Sequence, residues 1–513
     1  MIEEKCKLSK KTSKKIDMLM NDGAKISFEN SEQIDLGVSN HDGGARFAHI
    51  ILAGKKNVDI DLHNALITVK HLVTPFILDE CENITLQNFS IRFLRHYYVQ
   101  TKIISIEKNI VECEPLDIEM LSVENGILRV NYGDETLVYD DLFFVQEFEN
   151  PFKVAKDANI AIYAGNEKRY FELKNQKLFF HTDKANEVHP GNYLCFFAQK
   201  RTTDAIVINK CKNIKIKNVN IYSSPAMGIA CQISENIELD KVNVIHDGAS
   251  SYQITSLADA THFFACRGKI NMTRCIFENM NDDATNIHGI YEIFERIQGD
   301  EAIIIKKHVQ QFGVNSFLAG DSIAILDYDT KILSEAKIIE SIVIDKQRTR
   351  LKLDKKIYID NGGIVENLST NPEIYIAHCK TGNNRPRGFL LASKGKTVIE
   401  NCIFYNSECG IGAFADTDYW YESGRFDHIE ITNNIFLTNY GGGRGAIEVS
   451  PTVKYGSDYF NGVLIIKNND LKKIYKKAVF VSNTKEVCLE NNVCTAGSLS
   501  MEFVDCGKTV IQS

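Results

Sequence analysis

Three aspartates are spaced so that a coiled chain would bring them together. Asp259 precedes Asp282 by 23 residues and Asp283 by 24. If one turn of the coil takes 23 residues, as the repeats below indicate, the side chains would lie on one face, roughly 5 Å apart along the axis. Carboxyl groups this close resist simultaneous ionisation, so one of them keeps its proton. A protonated carboxyl beside an ionised one is what cleavage of a glycosidic bond requires.

The aspartates also allow two other interpretations. Asp282 and Asp283 could form a solvated turn, and the carboxylates could bind a metal ion together with a histidine. Small and apolar residues surround the pair, which disfavours a solvated turn. His262 and His288 are 26 residues apart, which is not the tight spacing of a metal-ligand pair. We therefore expect catalytic aspartates, with no metal and no cofactor.

Further polar and aromatic residues could contact a sugar. Trp420, the single tryptophan of the chain, stands near Glu422 in an acidic and aromatic phrase at 416–424. A ring beside carboxylates suits a sugar, which offers C–H groups to the ring and hydroxyls to the polar groups, although a core tryptophan beside a loop would look the same. Arg385 and Arg387 could orient a catalytic aspartate or bind hydroxyls, and a surface role fits equally well. The predicted substrate-binding residues are His262, Arg267, Asn286, His288, Arg385, Arg387, Trp420 and Glu422.

A repeated phrase predicts the elements that would position these residues. Short β-rich phrases have apolar residues at alternate positions and then a polar turn, most with an asparagine. This pattern is typical of a strand with one buried face, closed by a residue that tolerates left-handed backbone geometry. Equivalent positions are separated by 23 residues (Ile214 to Ile237, and Ile466 to Leu489), by 32 (Ile399 to Ile431) and by 35 (Ile431 to Ile466). These spacings predict a parallel β-helix whose longer turns carry loops.

Two stretches, at about 100–200 and 291–380, replace the repeat with alternating, turn-rich β patterns. They predict antiparallel modules inserted into the coil. The predicted fold class is therefore all-β, a parallel β-helix (solenoid) with two inserted small antiparallel β-barrel modules. The predicted segments are 1–99 for the N-terminal segment and first coils, 100–200 for the first module, 201–290 for the central coils with the aspartates, 291–380 for the second module, and 381–513 for the C-terminal coils.

Composition narrows the classes of function. The 513 residues include 59 basic and 67 acidic side chains, and this formal charge of −8 argues against a nucleic-acid partner. The 14 cysteines form no CxxC pair, which favours buried reduced thiols and a reducing compartment. No apolar segment follows the charged N-terminus, so we expect neither a signal peptide nor a membrane anchor. The expected location is cytoplasmic for this chain as it stands, and extracellular if a leader has been removed.

Several phrases closely resemble those of glycoside hydrolase family 110, the α-1,3-galactosidases. The resemblance spans roughly residues 40 to 500, and its two central phrases are long and specific. The matching phrases are Ser-Ser-Pro-Ala-Met-Gly-Ile at 223–229, the stretch at 258–268, the stretch at 282–291, Arg-Pro-Arg-Gly at 385–388 and Trp-Tyr-Glu-Ser-Gly at 420–424. Leu257 departs from the pattern, because a small polar residue is expected there, so the neighbouring subsite is expected to differ.

The resemblance implies a right-handed coil and an inverting, exo-acting enzyme that releases galactose from terminal Gal-α-1,3-Gal groups. Such groups occur in linear α-galactosyl glycans and in blood-group B-type glycans, and the sequence does not choose between them. Asp282 would be the general acid, while Asp259 and Asp283 would hold and activate water, a division also similar to the aspartate triad of polygalacturonases. The implied partner is a galactosylated glycan, and a homodimer through the coil or module surfaces is compatible with it.

Two other classes of protein share the predicted coil. One is another β-helix polysaccharide enzyme, such as a polygalacturonase-type hydrolase or a pectate lyase. A uronate substrate calls for clustered basic residues, and the sequence shows no basic run beside the aspartates. The other class is a non-catalytic glycan-binding solenoid, which has no need of three stacked aspartates. Both stay open as alternatives at this point.

Overall fold

The fold is built almost wholly from strands. The computed structural model describes residues 14–17, 25–27, 32–35, 45–139, 142–149, 153–154, 170–198, 201, 203–406, 408–437, 444–452, 459–474, 477–494 and 500–512. Within these ranges the only helices are 3₁₀ turns at Ile118–Met120, Ala185–Glu187 and Val309–Gln311. No helix in the described part of the chain has the length or apolarity to cross a membrane. The all-β prediction is therefore confirmed.

The described strands fall into five consecutive groups along the chain. The first coils contain β1 (Lys14–Asp17), β2 (Lys25–Ser27), β3 (Glu32–Asp35), β4 (Ala45–Ala53), β5 (Lys56–Val69), β6 (Thr74–Asp79) and β7 (Glu82–Phe93). The first module contains β8 (Tyr98–Glu107), β9 (Ile110–Pro115), β10 (Leu121–Glu124), β11 (Ile127–Asn131), β12 (Thr136–Tyr139), β13 (Leu142–Glu149), β14 (Lys153–Val154), β15 (Tyr170–Lys174), β16 (Lys177–His181) and β17 (Tyr193–Ala198). The central coils contain β18 (Ile206–Asn209), β19 (Lys212–Ile221), β20 (Ile229–Gln232), β21 (Glu235–Val244), β22 (Thr261–Phe264), β23 (Arg267–Thr273) and β24 (Ile276–Glu278). The second module contains most of β25 (Thr285–Ile305) with β26 (Ser322–Leu326), β27 (Ile332–Val343), β28 (Arg348–Ile359) and β29 (Gly363–Asn367). The last coils contain β30 (Glu373–Ala377), β31 (Lys380–Gly382), β32 (Arg387–Leu391), β33 (Thr397–Glu400), β34 (Ile403–Tyr405), β35 (Cys409–Ala413), β36 (Glu422–Ser423), β37 (His428–Thr432), β38 (Ile435–Phe436), β39 (Ile447–Val449), β40 (Asn461–Lys467), β41 (Lys477–Ser482), β42 (Thr484–Glu490), β43 (Ser500–Val504) and β44 (Lys508–Gln512).

Successive coils stack in parallel through these strands. One face runs β7–β19–β21–β23–β30–β33–β37–β40–β42–β44, and another runs β6–β18–β20–β22–β25–β32–β35–β39–β41–β43. The residue pairs whose spacing defined the repeat are direct neighbours in the register: Ile214 with Ile237, Ile399 with Ile431, Ile431 with Ile466, and Ile466 with Leu489. The predicted stacking of parallel coils is confirmed.

Asparagines form the corners of the coils. Asn83, Asn213 and Asn236 occupy equivalent positions with φ of 55°, 57° and 57°, a left-handed geometry that asparagine tolerates better than most residues. Their side-chain amides donate to one another along the stack, at 2.8 Å from Asn213 to Asn83 and 2.9 Å from Asn236 to Asn213. The repeated asparagine therefore has a backbone role and a stacking role.

A second asparagine column lies inside the coil. Asn434 is fully buried, and its amide donates to the Ile399 carbonyl and to the Asn469 Oδ1, both at 3.0 Å. Its own Oδ1 accepts the backbone N–H of Cys402 at 2.8 Å. Asn469 continues the column to Asn492. These side chains hydrogen-bond backbone groups of the neighbouring coils, so their buried amides are themselves satisfied.

Asn434→Ala is expected to lower the free energy of unfolding by about 3 kcal/mol, because it leaves the Cys402 N–H buried without its acceptor and removes the two hydrogen bonds that the amide donates. Thermal and urea unfolding of the purified variant would measure the loss. Asn433→Gly is the matched control, since Asn433 is exposed with φ of 55° and glycine tolerates that geometry. Equal losses in the two variants would contradict the role of the buried column.

The first module interrupts the coil without disturbing its register. β7 pairs with β19 as directly consecutive coil strands, with partners such as Ile84 and Ile214 separated by 130 residues. Between them, β8, β9 and β13–β17 form an antiparallel sheet, and β10–β12 form a smaller one. Both ends of the module meet, because Tyr98 of β8 pairs with Phe197 of β17.

The second module grows directly out of a coil strand. β25 begins in the parallel face, where Thr285–Ile287 pair with β32, and continues outward to pair antiparallel with β29 and β28. β28 pairs with β27, β27 with β26, and β26 with β29. Antiparallel insertion is thus observed in both stretches, whereas their barrel form and the five predicted segment boundaries stay predictions.

Candidate active site

The outward face of two neighbouring coil strands carries the candidate site. The register of β22 and β25 pairs His262 with Asn286 and Phe264 with His288. Phe263 belongs to the apolar interior of the coil, so strand alternation turns His262 and its partner away from that interior. Phe264 packs in the apolar core of the second module. The module therefore covers the face immediately beside the site.

The three aspartates converge at the turns before these strands. Asp259 precedes β22, while Asp282 and Asp283 precede β25 one coil later. Each offers a carboxylate oxygen within 4.8 Å of the other two, and the Asp283 backbone N–H donates to the Asp259 Oδ1 at 3.2 Å. Asp259 and Asp283 are buried, whereas the Asp282 side chain is 18% exposed. A spacing of one turn therefore brings the three carboxyls together, as the sequence predicts.

Arginines surround the aspartates. The Arg387 guanidinium donates to both carboxylate oxygens of Asp283 at 2.8 Å, which is a bidentate pair. Arg201 donates to the Asp282 Oδ2 at 2.9 Å, and Arg385 lies 3.7 Å from the Asp282 Oδ1. Arg201 was not predicted, because it is 81 residues from Asp282 and follows the first module, where no periodic pattern links it to the site.

Burial and mutual repulsion favour protons on the two buried carboxyls. Burial, and then the charge of Asp282, raise the pKa of Asp259 well above its usual value. Burial also raises the pKa of Asp283 well above its usual value, with Asp259 and Asp282 adding to the effect and Arg387 opposing it. Three carboxylates this close cannot all be ionised in a dry site. At least one proton is therefore retained by Asp259 and Asp283.

The positive charges around Asp282 act in the other direction. Burial alone would raise its pKa, but Arg201, Arg385 and Arg387 together outweigh burial and lower the pKa of Asp282. Asp282 is therefore the most readily ionised of the three carboxyls. The resemblance implies a protonated Asp282, so any acid role for this residue requires the charge pattern to change when substrate binds.

The three aspartates also have donor atoms of the kind that a cation site uses. Three carboxylate oxygens within 4.8 Å of one another would suit a divalent metal ion. However, the bidentate Arg387 and the neighbouring Arg201 already bring positive charge to these oxygens. The donor set therefore fits an arginine-neutralised carboxyl cluster better than a metal site.

A chain of buried groups continues from Asp259. The Asp259 Oδ2 lies 2.7 Å from the His262 Nδ1, and the His262 Nε2 lies 3.0 Å from the His288 Nε2. The His288 Nδ1 lies 2.6 Å from the Gly289 carbonyl oxygen. Glu422 approaches from the side, with its Oε1 3.4 Å from the His288 Nε2. Both histidines are almost fully buried, so their rings contact protein groups and not solvent.

The loop at 414–427 brings Glu422 and Trp420 to the same edge. β36 pairs antiparallel with β25, which places Glu422 opposite Ile290, and the Asn286 amide donates to the Glu422 Oε1 at 3.4 Å. Trp420 is partly exposed, and its ring centroid lies 4.6 Å from that of His308 in the second module. The structure thus favours a rim position for Trp420 over a core position, and it adds His308, which sequence reasoning missed.

Arg267 is the predicted site residue whose contacts point elsewhere. Its guanidinium forms a bidentate pair with Asp321 of the second module, one contact being 2.8 Å. Asp321 is 3% exposed and also accepts from Asn367 and from the backbone N–H of Leu318. These contacts favour a role in fastening the second module to the coil.

Arg267→Met is expected to lower the free energy of unfolding by about 3 kcal/mol, because Asp321 would stay buried without its cation, while KM stays unchanged. Thermal unfolding and steady-state kinetics would measure the two effects. Arg274→Met is the matched control, since Arg274 is exposed in its pair with Asp240, and exposed ion pairs contribute little to stability. A raised KM with unchanged stability would instead support the predicted contact with substrate.

Leu257, the departure from the family pattern, lies in an apolar cluster. It is 5% exposed and packs with Tyr97, Tyr98 and Phe197 of the first module. The residue therefore anchors the module to the turn that leads into Asp259. Its apolar character is explained by this packing, and the expected difference in the neighbouring subsite stays a prediction.

The chain is similar over most of its length to proteins named alpha-1,3-galactosidases. The chain is 27% identical over 472 residues to alpha-1,3-galactosidase A of Shewanella woodyi, covering 89% of this chain and 76% of that protein. It is 26% identical over 497 residues to an alpha-1,3-galactosidase B of Phocaeicola vulgatus, covering 89% and 80%. The alpha-1,3-galactosidase A of Bacteroides thetaiotaomicron matches at 26% over 74% of this chain and 68% of that protein. The resemblance to α-1,3-galactosidases is therefore confirmed over most of the chain.

Other comparisons add little. No family model matches the chain. Among solved structures, the match to an exopolygalacturonase of Thermotoga maritima covers 91% of this chain and 82% of that protein, with 11% sequence identity and a TM-score of 0.33. That likeness is too low to support an argument about the site.

Proposed function

We propose that this protein is an exo-acting α-galactosidase that releases terminal α-1,3-linked galactose with inversion, from linear or B-type glycans. The observation that carries the proposal is the convergence of Asp259, Asp282 and Asp283 within 4.8 Å, in a chain related over most of its length to proteins named α-1,3-galactosidases. Arg387, Glu422 and the rim aromatic Trp420 supply the polar and apolar contacts that a sugar needs.

In the proposed reaction, Asp282 gives a proton to the leaving glycosidic oxygen, while Asp259 and Asp283 orient a water and accept its proton. The charges around the site favour the opposite protonation of Asp282, because the neighbouring Arg201 lowers the pKa of that carboxyl. We propose that the bound sugar displaces Arg201 from Asp282, which removes the nearest cation and allows Asp282 to take up a proton. Asp282 suits this exchange, since it is the most exposed of the three carboxyls.

The stereochemical part of the proposal rests on the resemblance and not on the spacing. An inverting acid–base pair is usually separated by about 6.5–9.5 Å, and a retaining pair by about 5–5.5 Å. The oxygens of the three aspartates approach within 4.8 Å, so the attacking water must lie above the cluster and not between its members. The stereochemistry of the first product is therefore the sharpest test of the proposed mechanism.

Time-resolved proton NMR of the purified protein with Gal-α-1,3-Gal tests the function. We expect β-galactose to accumulate before mutarotation, and no product with the Asp282→Asn/Asp283→Asn variant prepared in parallel. α-Galactose as first product would keep the substrate and overturn the inverting mechanism. Absence of galactose release would sink the proposed function.

A uronate-cleaving enzyme is the second candidate, and one observation favours it. The sequence argument against it was that no basic cluster lies beside the aspartates, and the structure contradicts that premise by bringing Arg201, Arg385 and Arg387 together there. The cluster was missed because Arg201, which completes it, lies 81 residues before Asp282, whereas Arg385 and Arg387 were already predicted at the site. The Arg387 guanidinium is already paired with Asp283. It is therefore poorly placed to bind the carboxylate of a uronate. New reducing ends from polygalacturonate, without release of galactose from Gal-α-1,3-Gal, would establish this alternative.

We also propose a right-handed coil with two barrel-like modules, and the five segments given above as its division. A galactosylated glycan is the proposed partner. A homodimer and the predicted compartment stay predictions that sedimentation analysis and localisation of the tagged protein would decide.

A further inference from the structure

A chain of hydrogen bonds runs from Asp259 through His262 and His288 to the Gly289 carbonyl, and its contacts fix how many protons the chain contains. A backbone carbonyl only accepts hydrogen bonds, so the contact of 2.6 Å to the Gly289 oxygen requires a proton on the His288 Nδ1. The facing Nε2 atoms of His262 and His288, 3.0 Å apart, need one proton between them. The contact of 2.7 Å between Asp259 and the His262 Nδ1 needs another. The complete chain therefore holds three protons.

Three protons make the chain electrically neutral. Two imidazole rings and one carboxyl, all fully deprotonated, would carry three negative charges, and three protons cancel them. Removing a proton would leave two acceptors facing each other, and adding one within the chain would leave two donors facing each other. Either arrangement is costly for buried groups. The proton nearest the aspartates can therefore move between the Asp259 Oδ2 and the His262 Nδ1, but it does not leave the chain readily.

From this geometry we infer that His262 and His288 are positioning residues, forming a relay that holds one proton beside Asp259 and allows that carboxyl to act as an ionised base in a buried site. The inference rests on the proposed function. The relay is distinct from the sugar-binding role that the sequence suggested for both histidines. Their burial and mutual contacts leave the relay atoms committed to protein groups.

The relay has a defined place in hydrolysis. Before attack, the shared proton lies on His262 and Asp259 is ionised. The water oxygen forms the new bond to the anomeric carbon, its proton passes to Asp259 at the Oδ1 that also accepts the Asp283 backbone N–H, and the glycosidic oxygen leaves with the proton of Asp282. Asp259 has then gained one proton and Asp282 has lost one, so the site returns to its starting state by exchange with solvent.

Charged groups face the relay from each neighbouring element. Asp282 and Asp283 stand across Asp259 on the next coil, with Arg387 behind them and Arg201 at the end of the first module. Glu422 of β36 faces both Asp259 and His288. Burial first, and then His262, lower the pKa of His288 against the opposing effect of Glu422, which agrees with a neutral His288 as the fixed end of the relay.

The kinetic test compares His262→Phe and His288→Phe with wild type on Gal-α-1,3-Gal across pH. Without His262, Asp259 loses the imidazolium that stabilises its ionised form, so the acidic limb of kcat/KM should move up by about one pH unit or more, while KM changes little. His288→Phe should give a smaller shift. His262→Asn, which keeps a donor facing Asp259, should shift less than His262→Phe.

The double variant separates a relay from two independent contacts. If the histidines act in series, adding His288→Phe to His262→Phe should cause no further shift, because groups that act as a unit are not additive. Additive losses that appear in KM, with the acidic limb unmoved, would overturn the relay and support direct sugar binding.

A measurement without substrate keeps the inference separate from the proposed function. In protein labelled with ¹⁵N-histidine, the His288 signals, assigned by their loss in His288→Phe, should show a neutral ring protonated on Nδ1 that does not titrate between about pH 5 and pH 8. Titration near the ordinary histidine value of about 6.5, or protonation on Nε2, would overturn the relay even in an active enzyme. The expected spectrum in a protein that releases no galactose would instead overturn only the proposed function.

Discussion

Asp282→Asn is expected to lower kcat/KM on Gal-α-1,3-Gal by about 10³-fold, within the range by which general acid catalysis contributes. The leaving sugar hydroxyl needs a proton, whereas a dinitrophenolate does not. The same variant should therefore lose much less on 2,4-dinitrophenyl α-galactoside. Steady-state rates on the two substrates, measured for the same preparation, give the comparison.

Asp259→Asn and Asp283→Asn are the matched variants for this experiment. As the proposed water-holding groups, they should lose activity on both substrates by similar factors, because attack by water is needed whichever group leaves. If Asp259→Asn or Asp283→Asn is the variant spared on the activated substrate, the acid role passes to that residue. The charges in the substrate-free site would then describe the catalytic state directly, since they already favour protons on Asp259 and Asp283.

Arg387→Met is expected to lower the free energy of unfolding by about 3–5 kcal/mol, because the buried Asp283 loses its bidentate partner and must take up a proton to stay buried. Asp283 is 1% exposed, so water cannot replace the guanidinium. Activity should fall by at least about 10²-fold, since Asp283 would then hold its proton at neutral pH. Thermal unfolding and kcat/KM measured across pH would check both effects.

Two further variants show whether the pair itself is responsible. Adding Asp283→Asn to Arg387→Met should restore part of the lost stability, since a neutral amide can be buried without a cation and without taking up a proton. Arg385→Met is the control, because Arg385 lies 3.7 Å from Asp282 and makes no bidentate pair with it. Equal destabilisation by Arg385→Met, or no recovery in the double variant, would contradict the explanation.

The parts of the fold and site that repeat along the sequence were the parts that sequence could predict. Ile214 and Ile237 are register neighbours because each coil must bury the same face, and Asp259 meets Asp283 because 24 residues, again one coil, separate them. Arg201, His308 and Asp321 were not predicted. They lie at the ends or inside the modules, where the path of the chain depends on packing between modules and coil and not on a period.

The same difference between the periodic coils and the modules explains which contacts of the individual residues could be predicted. Asn286, His288 and Glu422 meet because β36 returns to β25, a pairing that no local pattern announces. Arg267 begins the coil strand β23, yet its guanidinium contacts Asp321, 54 residues later. The coil to which a side chain belongs could be predicted. Its hydrogen-bond or ion-pair partner could not be predicted when that partner belongs to a module.

The meeting of the two ends of the first module has a consequence for how the chain folds. Pairing β7 with β19 requires closure of a loop of more than a hundred residues, which for a flexible chain costs roughly 4 kcal/mol in entropy. Once β8 and β17 have paired, Tyr98 and Phe197 are neighbours, and the segments still to be closed are 94–97 before β8 and 199–205 before β18. The module would then act as a rigid bridge that presents β18 and β19 to the coil already formed. Early folding of the module should therefore set the rate at which the central coils, and the aspartates they carry, are assembled.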